Sequence, residues 1–147
     1  MLARREFLQH AQRTALGACV LGALPTLVAG CASVPLLNVE ARDGMIRVPY
    51  ASLDADGRAL VEVSGLDLPI FVRRVTGQPP VALSTRCMHR GCEVEPATDR
   101  LVCPCHGSEY DLHGAVLHGP TTLPLQKFVA RETADGIVIE LGARSGT

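Results

Sequence analysis

Cys87-Met88-His89-Arg90-Gly91-Cys92 and Cys103-Pro104-Cys105-His106 put four cysteines and two histidines within twenty residues, a density of soft donors that marks a metal site. Each segment offers one Cys and one His at short spacing, Cys87 with His89 and Cys103 with His106. Each also keeps a further cysteine, Cys92 or Cys105, beyond four-coordinate needs. Two thiolates and two imidazoles could bind zinc tetrahedrally, but zinc fingers usually put two Cys on one limb and two His on the other. Here both limbs are mixed. The alternative is a 2Fe-2S cluster in which two His replace two Cys on one iron, which needs one Cys and one His from each of two loops.

The residues resemble the Rieske iron-sulfur family, whose motif is CxH on one loop and CxxH on the other, present here as CMH at 87–89 and CPCH at 103–106. The likeness is closer still to the high-potential branch of cytochrome bc-type complexes, whose loops read CTHxGC and CPCHGSxY. This chain has CMHRGC at 87–92 and CPCHGSEY at 103–110, and the resemblance covers its last hundred or so residues.

That resemblance implies one Rieske-type 2Fe-2S cluster, with Cys87 and Cys103 on the inner iron and His89 and His106 on the outer iron near solvent. Two ferric ions and two sulfides carry about +2, so four thiolates bring the centre to about −2, whereas two thiolates and two neutral imidazoles bring it to about zero. Adding an electron then costs less, which is why such centres lie at roughly −150 to +300 mV against about −400 mV for plant-type ferredoxins. The resemblance also implies that reduction and protonation of the outer imidazoles are coupled, and that a disulfide joins Cys92 to Cys105. Oxygenase-type Rieske ferredoxins lack that pair.

Ser108 and Tyr110 fall where the family places hydroxyls that donate to a bridging sulfide and to a Cys sulfur, stabilising the reduced cluster and raising its potential. Gly107 would let backbone amides approach the sulfurs. The stretch His118–Leu125 resembles the proline loop that covers the cluster, with Pro120 as its stiffener. The usual text there is GPAP and here it is GPTT, so the lid lacks a second proline. His113 and His118 sit at no ligand spacing and read as solvent-facing loop residues. Catalytic residues are not indicated: no Ser-His-Asp order, Gly-rich phosphate loop or paired-carboxylate signature stands out.

Ala3-Arg4-Arg5-Glu6-Phe7-Leu8 resembles the twin-arginine export motif, and after Arg13 no charged residue occurs until Glu40. A cluster assembled in the cytoplasm must cross a membrane inside a folded domain, which is the cargo that route carries, and a disulfide then persists in the oxidising space outside. Leu27-Val28-Ala29-Gly30-Cys31 resembles a lipobox, which implies lipidation of Cys31. The competing reading is an uncleaved anchor helix, since residues 14–37 are uncharged and, at about 1.5 Å per residue, are long enough to cross about 30 Å of hydrocarbon. Pro25 and Pro35 count against that span, and a plainly cleaved soluble form is the third alternative.

The expected organisation is therefore a signal peptide or anchor over 1–30, a linker over 31–42 and a Rieske domain over 43–147, with cluster loops at 86–122. Without residues 1–30, which hold three Arg and one Glu, 11 basic and 14 acidic side chains remain. That balance excludes nucleic acid as a natural partner. Short apolar runs separated by turn signals recur at Met45–Val48, Ala59–Val63, Ile70–Val75, Val81–Ser84, Arg100–Val102, Ala115–Leu117, Gln126–Arg131 and Ile137–Leu141. Asp54–Gly57 reads as a tight turn and Ala134–Gly136 as a hairpin. The fold class expected is all-β, with the antiparallel sheets of the Rieske fold. Only ten residues, Glu93–Val102, separate the cluster loops, which suggests a minimal domain.

Three functions follow as expectations. The first is a one-electron carrier, without substrate chemistry of its own, at the outer (periplasmic) face of a bacterial membrane. Its redox partners would be cytochrome b and cytochrome c, with quinol as donor, or a molybdopterin subunit. The second is a stand-alone Rieske ferredoxin supplying an oxygenase. The third is a structural zinc or disulfide module.

Overall fold

The alternation of inward and outward side chains that the sequence carries becomes eleven strands in the computed structural model, which describes residues 33–144. They are β1 (Leu36–Val39), β2 (Met45–Pro49), β3 (Arg58–Val63), β4 (Ile70–Arg73), β5 (Val81–Ser84), β6 (Glu95–Pro96), β7 (Arg100–Val102), β8 (Glu109–Asp111), β9 (Val116–His118), β10 (Phe128–Glu132) and β11 (Gly136–Arg144). A single 3-10 turn, Tyr50–Ser52, is the only helical element among the described residues. The expected all-β class is what is found.

Three sheets result, in the orders β1-β3-β4-β5, β10-β11-β2 and β6-β7-β8-β9. All pairings are antiparallel except β1 with β3, which run parallel from Leu36 opposite Leu60 to Val39 opposite Val63. β1 lies within the stretch 31–42 that reads as linker in the sequence. Four residues with only Leu37 and Val39 turned partly inward leave too little periodicity to distinguish an edge strand from a connection.

The first sheet is shared by two cores, and the period-two alternation of strands is what divides it. Ile70 and Val72 of β4 and Ala82 of β5 pack with Ile46, Val48, Ile137 and Ile139 of the second sheet. Phe71 and Leu83, one residue out of phase, pack instead with Val94, Leu101, Tyr110 and Leu125, and with Cys87 and Cys103. A strand covered on both faces reads as a continuous apolar run, and β4 is buried at three consecutive positions. Each fully buried Phe, Leu or Ile contributes roughly 1.5–3 kcal/mol, so the two cysteines are anchored in a rigid wall.

Tight turns hold the strand ends. The Gly57 amide donates to the Asp54 carbonyl at 3.0 Å, with Gly57 at φ +72°. Asp54 Oδ1 accepts from the amides of Asp56 (2.9 Å) and Arg58 (2.7 Å). At the expected hairpin, the Thr133 amide donates to Gly136 O at 2.8 Å and turns β10 into β11. Strands β6 and β8 carry no apolar run. β6 is two residues ending in Pro96, tolerated at an edge, and β8 is Glu-Tyr-Asp with Tyr110 alone inward.

Among the described residues no helix is long and apolar enough to cross a membrane. The leader, the lipobox and Cys31 lie outside the described residues.

Candidate metal centre

Two loops with one backbone plan carry the cysteines and histidines. In the loop between β5 and β6, the Cys87 amide donates to Cys92 O and the Gly91 amide to Cys87 O, both at 2.8 Å. In the loop between β7 and β8, the Cys103 amide donates to Ser108 O at 2.8 Å and the Gly107 amide to Cys103 O at 2.9 Å. Each ring thus spans a Cys, a glycine four residues on and a closing residue five on. Gly91 and Gly107 take φ of +79° and +73°, a conformation costly to other residues. That backbone requirement is what calls for glycine at 107.

The rings are tied side chain to side chain. Cys92 of the first and Cys105 of the second form a disulfide with Cα atoms 6.5 Å apart, the pairing that the family resemblance implies. The sulfurs of Cys92, Cys103 and Cys105 lie within 4.8 Å of one another. Two of the three are spent on the disulfide, so Cys103 is the free thiol of that trio. Cys87 and Cys103 are both unbridged and buried.

The same two loops carry two imidazoles, His89 and His106, with ring centroids 4.8 Å apart and planes at 88°. His106 is exposed and His89 half-buried. Nδ1 of His89 is buried without a hydrogen-bond partner among the described residues. A buried polar atom left unsatisfied costs about 1–3 kcal/mol, a cost that metal ligation through that nitrogen removes. Two buried thiols, two neighbouring imidazoles and an orphaned ring nitrogen form a donor set that fits a 2Fe-2S cluster with mixed ligands.

Hydroxyls surround the inner sulfur. Tyr110 is fully buried, and its Oη lies 3.4 Å from Cys87 Sγ while accepting from the Met88 amide at 3.1 Å. Burial pushes the Cys87 thiol up, but hydrogen bonds from Tyr110, the His89 backbone, Cys103 and Ser108 outweigh it and hold Cys87 below the usual thiol value. Cys103 is pushed up, first by burial and then by its neighbour Cys87. Burial, followed by the contact with Cys87, likewise raises the Tyr110 phenol, which stays protonated and able to donate.

Ser108 is also fully buried and its Oγ accepts from the Thr121 amide at 3.3 Å. Thr121 belongs to the segment after β9 that begins with the cis peptide Gly119-Pro120. Pro120 itself is exposed and Thr121 buried. The chain then returns to the first sheet, with the Leu125 amide on Gly114 O and the Ser84 amide on Gln126 O, both at 2.9 Å.

The remaining histidines stand apart from this arrangement. His113 is exposed at the turn closed by Gly114 on Asp111 O, where it borders a depression with Gln78 and Phe128. His118 is exposed on β9 opposite Glu109. Three contributors escaped the sequence reading: the Met88 amide, Thr121 and Arg58. The guanidinium of Arg58, 6% exposed, donates to the carbonyls of Ala97 and Thr98 at 3.1 and 3.3 Å and thereby fixes the β6–β7 turn. One signal for the loops was available: Cys-x3-Gly-x occurs twice, as Cys87–Cys92 and Cys103–Ser108.

Residues 47–129 match the family described as the Rieske 2Fe-2S domain. The chain is 36% identical over 96 residues to the cytochrome b6-f complex iron-sulfur subunit of Chlorobaculum thiosulfatiphilum, covering 64% of this chain and 52% of that protein. It is 34% identical over 129 residues to the carotenoid phi-ring synthase of Chlorobaculum tepidum, covering 75% of this chain and 20% of that one. The chain therefore spans about half the length, or less, of these curated relatives. Among solved structures it is similar to the cyanobacterial plasma membrane Rieske protein PetC3 from Synechocystis PCC 6803, with TM-score 0.55, 29% identity, and coverage of 64% of this chain and 97% of that chain. A chain from the complex of reduced oxygenase and oxidized ferredoxin in carbazole 1,9a-dioxygenase shares the fold at TM-score 0.55 and 21% identity, over 68% of this chain and 95% of that one.

Proposed function

This chain belongs to the Rieske 2Fe-2S domain family and is an electron-transfer protein, and from that premise we propose that it works as the iron-sulfur subunit of a quinol:cytochrome c reductase-like or related exported oxidoreductase. When bound, the cluster supplies one-electron redox chemistry at a potential raised by its two imidazole ligands.

Cys87 and Cys103 supply the two thiolates from within the apolar core, and His89 and His106 the two imidazoles at its rim. The observation that carries this assignment is that the same two loops bear two buried free thiols and two imidazoles in mutual contact, one of which keeps a buried, unpartnered Nδ1. His106, exposed, offers the route by which an electron reaches a partner docked on the loops. Cys92–Cys105 holds the two loops in register, and Tyr110 and Ser108 keep protons near sulfur.

The location proposed is the outer, periplasmic face of a bacterial membrane, reached through a twin-arginine signal over 1–30, with attachment by lipidated Cys31 or an N-terminal helix. The domain, extended to include β1 of the first sheet, with cluster loops at 86–122 and Pro120 in the lid, completes the proposed organisation. Cytochrome b with quinol, or a molybdopterin subunit, is the donor side, and a c-type cytochrome the acceptor. Similarity to cytochrome b6-f iron-sulfur subunits supports this reading. The Cys92–Cys105 disulfide supports it over a ferredoxin supplying an oxygenase, whose family branch lacks that pair.

Stopped-flow mixing of the reduced protein with a c-type cytochrome tests the acceptor side. Fast one-electron reduction is expected, and failure to reduce it under conditions where an oxygenase component is reduced would overturn the reading.

A further inference from the structure

Two buried hydroxyls of the second cluster loop, Ser108 and Tyr110, are wired alike. Tyr110 Oη accepts from the Met88 amide at 3.1 Å and faces Cys87 Sγ at 3.4 Å. Ser108 Oγ accepts from the Thr121 amide at 3.3 Å and is completely buried. A hydroxyl has one proton and two lone pairs. An amide that occupies a lone pair also forbids the proton from pointing toward it, and in a site closed to solvent the proton is left for another acceptor, which is Cys87 Sγ for Tyr110 and, on the proposed ligation, cluster sulfur for Ser108.

Thr121 is itself braced. Its side-chain Oγ1 donates to Leu123 O and accepts from the Leu123 amide, both at 3.3 Å, and the residue is 5% exposed. This small ring stiffens the lid at the place where the second proline of the usual GPAP text is absent.

We propose that Thr121 is a positioning residue for the redox potential: its amide aims the Ser108 proton at sulfur, and its hydroxyl holds that amide in place through Leu123. The lid is thereby coupled to the potential, and a partner that presses on Gly119–Leu123 shifts both together. This inference rests on the reading that Ser108 donates to the centre.

The test is a double-mutant cycle read as midpoint potential in the cluster-loaded full-length protein, with EPR to verify the cluster. Ser108→Ala alone examines the underlying reading and should lower the potential; no change there removes both the reading and the inference. Because the Thr121 hydroxyl also meets Tyr110, the cycle is run in the Tyr110→Phe protein, where Thr121→Val should lower the potential by a fraction of the Ser108→Ala drop and add nothing in the Ser108→Ala background, and Thr121→Ser should restore it. Equal shifts in both backgrounds, or no shift from Thr121→Val while Ser108→Ala shifts, would overturn the inference alone. If Thr121→Val does not retain the cluster, Thr121→Ala takes its place in the cycle. Loss of the cluster in both would make Thr121 a residue of lid stability only, which also contradicts the proposal.

Discussion

The Tyr110 hydroxyl lies 3.4 Å from Cys87 Sγ, and the Met88 amide, next in the chain to that cysteine, donates to the same oxygen at 3.1 Å. Substitution by Phe removes the donor while keeping the ring that fills the core. A hydrogen bond to a charged sulfur is worth about 1.5 kcal/mol, and about 60 mV corresponds to about 1.4 kcal/mol for a one-electron centre. The bond is present in both oxidation states and only its strengthening on reduction moves the potential, so Tyr110→Phe should retain the cluster and lower its potential by less than about 60 mV, as measured by redox titration.

Removing the disulfide should loosen the loops more than the sheets. The bridge closes a sequence separation of 13 residues, for which the chain-entropy account gives about 3 kcal/mol. In the Cys92→Ser/Cys105→Ser protein the cluster should bleach at lower urea than in the parent, while far-UV circular dichroism persists. Simultaneous loss of both signals at the parent's midpoint would argue against a loop-specific role.

Arg58 is a buried cation with four partners. Besides the Ala97 and Thr98 carbonyls it meets Asp54 Oδ2 at 3.0 Å and Asp56 Oδ2 at 2.8 Å. Asp54 is itself nearly covered, with 10% of its side chain exposed. Arg58→Met leaves that carboxylate buried without its cation and should cost about 3 kcal/mol in urea unfolding, with the β6–β7 turn released.

Gly91 and Gly107 each sit one residue before the residue that closes its cysteine loop. Gly91→Ala and Gly107→Ala force a Cβ into the left-handed region at φ +79° and +73°, a cost of about 1–2 kcal/mol each. Both variants should show lower iron occupancy after expression, whereas Gly142→Ala, where an added Cβ meets nothing, should not.

Much of this could be read from residue order, because the chemistry is concentrated in short motifs. The all-β class follows from apolar runs such as Val81–Ser84 and Arg100–Val102, whose bounds coincide with β5 and β7. The Cys92–Cys105 bridge followed from resemblance rather than from spacing, which leaves the pairing of the cysteines open. β8 was illegible because Tyr110 is its one inward residue and its neighbours are charged. The contacts that give Thr121 and Arg58 their places, the Ser108 hydroxyl for one and the Ala97 and Thr98 carbonyls for the other, lie far off in the chain, and no local pattern encodes such partners.

The central claim is that two thiolates and two imidazoles hold a 2Fe-2S centre between these loops, and pulsed EPR of the anaerobically isolated, reduced protein tests it most directly. The account predicts a single paramagnetic centre, matched by two irons and two acid-labile sulfides per chain, with strong coupling to two imidazole nitrogens that changes when His89 or His106 is replaced. A colourless zinc protein, or an iron-sulfur signal without nitrogen coupling, would contradict it.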